Sequence, residues 1–76
     1  MYRYLIIIER GGHNLSAYVP DLPGCAATDA TYDELLANMR DALTLHLQSM
    51  IADGERIPTP DSDPTYVAVS LPRAVP

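Results

Sequence analysis

The chain has 76 residues, 47% hydrophobic and 20% charged, which fits one small folded domain and argues against disorder. Ten acidic residues oppose five basic ones, all arginine, and the net charge of −5 argues against nucleic-acid binding by counterion release. It suits either a basic partner or simple solubility. The lone cysteine, Cys25, excludes an intramolecular disulfide, and no His/Cys cluster has zinc spacing, so self-association is the expected support for so small a core.

In chain order, residues 2–9 are rich in β-branched and aromatic types and read as a strand. Gly11-Gly12 gives a two-residue hairpin signal. Residues 14–19 alternate, with Leu15, Ala17 and Val19 on one face, and form a second, antiparallel strand. Pro20-Asp21-Leu22-Pro23-Gly24 is a stiff turn, because proline lacks the N–H that a sheet ladder needs. Residues 25–28 read as a short third strand.

Thr31 and Glu34 form a capping box at the start of a helix expected over Tyr32–Ala52. Leu35, Leu36, Met39, Ala42, Leu43, His46 or Leu47, and Met50 recur at three- and four-residue steps and make its apolar stripe. Gly54 ends the helix as a left-handed cap, and Pro58 and Pro60 prevent its continuation. Residues 57–64 form a connection, residues 66–71 a last strand, and residues 73–76 a tail beyond a domain at 1–72.

The order is β-β-β-α-β, an α+β domain with a small antiparallel-rich sheet and one long helix on one face. Both faces of the first strand carry large apolar groups: Tyr2, Tyr4, Ile6 and Ile8 on one, Leu5 and Ile7 on the other. One helix covers one face, so Leu5 and Ile7 (or Ile6 and Ile8) need other cover. The expectation is a homo-oligomer through Leu5 and Ile7; the alternative is that residues 57–64 fold over that face. No apolar run approaches the ~20 residues of a membrane span, and the N-terminus lacks signal-peptide features, so a cytoplasmic location is expected.

Pro20-Asp21-Leu22-Pro23-Gly24-Cys25, the helix start at 31–36 and the Asp53-Gly54 to Ile57-Pro58-Thr59-Pro60 segment together resemble the HicB-like antitoxins of toxin–antitoxin systems. That resemblance covers nearly the whole chain. It implies a partial ribonuclease H-like fold, and a role in binding a HicA-type toxin, a small basic RNA-cleaving protein, and masking its active surface. Two departures stand out. Asp29-Ala30-Thr31 replaces the Gly-Asp-Thr often found before the helix, and the sequence stops soon after its last expected strand, where many members carry a DNA-binding domain. Direct promoter binding is therefore doubtful.

The chemistry reading is non-enzymatic, with no cofactor and no metal. A ribonuclease H mechanism needs carboxylates converging on divalent ions, one of them on the first strand, and that strand offers only Glu9 at its end. Asp29, Asp33 and Glu34 serve capping and solvation on this reading. Cys25 with His13 or His46 is an unpromising nucleophile pair, since nothing beside Cys25 lowers its pKa. Asp21 is first a turn-locking residue through nearby backbone N–H groups, and second a contact for a partner's basic side chain. Asp21, Leu22, Asp29, Asp33 and Glu34 are the candidate partner-binding residues. The competing functions are a metal-dependent nuclease remnant and a stand-alone oligomeric adaptor.

Overall fold

The computed structural model describes residues 2–72. Three short strands, β1 (Ile7–Arg10), β2 (Leu15–Tyr18) and β3 (Ala26–Asp29), form an antiparallel sheet in the order β1-β2-β3. One helix, α1 (Tyr32–Ala52), follows. The register opposes Ile8 to Ala17 and Ala17 to Ala27, so these three share the face that meets the core. Alternation turns Ile7, Tyr18 and Ala26 to the opposite face.

The helix lies across β3 and β2 and stops short of β1, whose Ile8 still packs against the edge of the core. Its stripe works as the spacing requires: Leu35 and Met39 are fully buried, and Leu43, Leu47 and Met50 continue the contact. Ala17, Val19, Leu22 and Cys25 complete the buried core from the sheet side. Burying one such large side chain contributes about 1.5–3 kcal/mol, so Leu35 and Met39 anchor the helix.

Local chemistry fixes the turns. Leu22 N–H donates to the Val19 carbonyl, and Cys25 N–H donates to the Leu22 carbonyl, giving consecutive turns with Pro20 and Pro23 at their second positions. Gly24 has φ 87°, which places it as the third residue of a type II turn, where a side chain is strained. Val19 N–H then donates to the Cys25 carbonyl and closes the β2–β3 hairpin. At the helix C-terminus Gly54 (φ 75°) donates to the Ile51 carbonyl and Glu55 N–H to the Met50 carbonyl, the paired bonds of a Schellman cap.

Three expectations change. Gly11-Gly12 does not make a two-residue hairpin: Arg10 pairs with Leu15, so residues 11–14 form the loop, closed by Gly11 N–H donating to the Asn14 carbonyl. Neither glycine has positive φ, which a type I′ turn demands. A Cβ at Gly11 would sit 2.8 Å from the Asn14 Oδ1, a contact that a turn of the Asn14 side chain relieves. β1 starts at Ile7, and residues 2–6 precede the ladder.

The last strand of the expected β-β-β-α-β order is absent from the sheet. Residues 66–71 are exposed and outside every ladder among the described residues. A strand exists only against a partner edge, and alternation alone does not supply one. Residues 73–76, read as a tail, lie outside the described residues.

Candidate interaction surface

The turn after β2 and the start of α1 hold the acidic candidates. Thr31, at the N-cap, has an extended backbone (φ −124°, ψ 157°), and its hydroxyl accepts from Glu34 N–H at 3.2 Å. The same hydroxyl donates to the Glu34 carboxylate at 2.8 Å. The capping box is thus closed through the hydroxyl, whereas the usual box has the Glu34 carboxylate accept from the Thr31 backbone N–H. Asp33 and Glu34 stand exposed in the first turn, at the positive end of the helix dipole. Asp29, half-buried at the end of β3, accepts from the Asn38 side-chain amide one turn further along α1. The structure therefore brings Asp29, Asp33 and Glu34 to one end of the sheet and helix.

Asp21 and Leu22 lie apart from that cluster, in the β2–β3 turn. Leu22 is 2% exposed, so its side chain serves the core and offers nothing to a partner. Asp21 locks structure, as its position suggested, but through a distant segment: its carboxylate accepts from the Ser62 N–H and the Ser62 hydroxyl. The Tyr4 hydroxyl donates to the Pro58 carbonyl, which ties the same connection to the start of the chain. Burial, then the neighbouring Tyr2 and Asp21, push the Tyr4 hydroxyl above its ordinary pKa. No sequence signal marks the Ser62 and Pro58 partners, because both contacts join segments far apart in the chain.

Leu5 and Ile7 are half-buried, with the exposed Tyr18 opposite Ile7. Residues 62–64 approach residues 3–6 around a shallow pocket and provide part of the cover that the loop alternative foresaw. On the helix side, Tyr2, Tyr4 and Ile6 face Leu36, Leu43 and Leu47 across an open groove of about 350 Å³. It exists because α1 stops short of β1.

Cys25 is buried, and burial pushes its thiol up, which disfavours the nucleophilic thiolate. Among the described residues, no three His, Cys, Asp or Glu side chains gather to hold a metal ion. No described helix is long and apolar enough to cross a membrane.

A short sheet under one helix, with an acidic rim and an apolar groove, defines a small α+β module shaped for binding. The profile of the family described as "HicB_like antitoxin of bacterial toxin-antitoxin system" matches residues 4–74, and the chain belongs to that family. It is similar to a 14.9 kDa protein of the rep-hol intergenic region of Haemophilus phage HP1, 31% identical over 84% of this chain and 48% of the phage protein. It is also similar to UPF0150 proteins of Synechocystis (31% identical over 80% of this chain and 78% of that protein) and Helicobacter pylori (36% identical over 62% and 65%). The chain thus spans about half the length of the phage relative. No solved structure matches it.

Proposed function

We propose that this antitoxin-family chain neutralises a HicA-type toxin, a small basic RNA-cleaving protein, by covering the toxin's active surface. The carrying observation is the exposed acidic rim at the start of α1, where Asp33 and Glu34 stand in the first helical turn of an acidic chain. Such a rim steers a basic protein to one end of the molecule and orients it before contact. Asp29 stands behind the rim, and Asp21 offers its remaining lone pairs at the β2–β3 turn.

On this reading the protein works by burial, without catalysis, cofactor or metal, in the cytoplasm. Self-association through the Leu5 and Ile7 face belongs to the same proposal, supported by the partial exposure of Ile7 and its neighbour Tyr18. A partial ribonuclease H-like ancestry is supported by the order of three antiparallel strands followed by a helix.

The test is reconstitution with the product of a neighbouring short, basic reading frame. The chain is expected to bind it stoichiometrically and to stop its RNA cleavage. Asp33→Asn with Glu34→Gln should slow association by roughly tenfold at low salt and have less effect at high salt. Failure to bind any such toxin leaves the adaptor reading. RNA cleavage by the purified chain, abolished by a chelator, establishes the nuclease remnant instead.

A further inference from the structure

The molecule is too extended for its size. Its radius of gyration is 16.1 Å and its longest extent 55 Å, whereas a compact chain of this length has a radius near ~11 Å. It exposes 6365 Å², about 1,800 Å² more than the roughly 4,600 Å² expected of a folded monomer of its mass. Residues 66–71 lie at the centre of this excess: Tyr66, Val67, Val69 and Leu71 are 100%, 80%, 73% and 79% exposed. A stable dimer buries about 800 Å² per partner, so the surplus is ample for one.

Two unpaired features complement each other. The arm alternates, with Val67, Val69 and Leu71 on one face and Tyr66, Ala68 and Ser70 on the other, in residue types that favour strands. β1 is an edge strand, because β2 occupies only one of its sides. An unblocked edge of this kind is a template for another strand.

We propose that residues 66–71 of one copy add as a fourth strand to the free edge of β1 in a second copy, and that the second copy returns the exchange. This goes beyond the self-association proposed above, because it uses the β1 edge and the Tyr4 and Ile6 side rather than the Leu5 and Ile7 face, and it is independent of the toxin's identity. The occupant is a second copy because the arm's base is fixed. Ser62 is held by Asp21 at the turn after β2, and Pro64 stiffens the next step. Within a single chain the arm stays exposed and joins no ladder among the described residues, although the edge of its own β1 is free. In the partner, Val67, Val69 and Leu71 reach the helix side of the segment that leads into β1, beside Tyr4 and Ile6. There they close the groove against Leu43 and Leu47, where α1 leaves room. Each groove is complete only with the other chain's arm.

The test uses the full chain. Sedimentation equilibrium is expected to give a dimer. Isotope-filtered NMR on a mixture of labelled and unlabelled wild-type chains is expected to show the methyl groups of Val67 and Val69 against Tyr4 and Ile6 of the other chain. Val69→Asp should raise the dimer dissociation constant at least about a hundredfold with helix content retained, while Val69→Ile keeps the dimer. A monomer at millimolar concentration, arm-to-β1 contacts found only within one chain, or a Val69→Asp dimer as tight as wild type would each overturn the inference. The filtered experiment decides even if the variant fails to fold. A monomer that still silences the toxin sinks the exchange and keeps the antitoxin reading; a dimer that leaves the toxin active does the reverse.

Discussion

Ser62 grips Asp21 with both of its donors, its N–H at 3.0 Å and its hydroxyl at 2.8 Å, across 41 residues of chain. The contact joins the β2–β3 turn to the connection beyond α1, and both donors meet one half-buried carboxylate. Charge-assisted bonds of this type are stronger than neutral ones, though partial exposure screens them. Asp21→Ala should lower unfolding stability by ~1–2 kcal/mol, and Ser62→Ala by less, because the Ser62 N–H survives. Urea denaturation of the two variants and the double variant checks this, and the double should cost less than the sum.

Leu35 is the most enclosed side chain of α1, at 0% exposed. Leu35→Ala leaves a cavity between α1 and the sheet and should cost ~2–5 kcal/mol, a large share of the stability of so small a domain. Leu45→Ala, on the same helix but 67% exposed, should change stability by less than ~0.5 kcal/mol. Thermal unfolding followed by circular dichroism distinguishes the two.

Thr31 both accepts from the Glu34 N–H and donates to the Glu34 carboxylate. Thr31→Ala removes both and should destabilise the domain by ~1 kcal/mol, whereas Thr31→Ser should be close to wild type. At the other end, Gly54→Ala forces a side chain into φ 75° and should cost ~1 kcal/mol despite open space around it. Denaturation midpoints measure both.

Cys25 and Tyr4 both have pKa values raised by burial. A raised acid favours its protonated form in the folded state. Its contribution is whole below the ordinary pKa and is lost as pH climbs through the raised one. For Cys25 that loss begins near its ordinary value of 9.0. Unfolding free energy should therefore fall between about pH 8 and pH 11, with a shallower fall in Cys25→Ala. Alkylation of the folded protein by iodoacetamide at neutral pH should be slow and should accelerate in urea.

The parts legible in the sequence were those decided locally. The helix runs over Tyr32–Ala52 as expected because Thr31, Glu34 and Gly54 each act within a few residues of its ends. The Pro20-to-Gly24 turn was equally readable, since proline and glycine restrict their own φ. The hairpin loop was misjudged because two glycines permit a primed turn without requiring one. The final strand was misjudged because pairing depends on an edge that alternation does not reveal. At the candidate surface the acidic cluster at Asp29, Asp33 and Glu34 was visible from helix-start chemistry. The burial of Leu22 and the partner of Asp21 emerge only when the chain closes on itself.

β2 is the middle strand, bonded on both sides and roofed by α1. It has no open flank from which to fray. In deuterated water its amides should be the slowest to exchange, yielding only when the whole molecule opens. The strand between the glycine loop and the proline turn is thus the keel of the domain, and damage there would be felt everywhere at once.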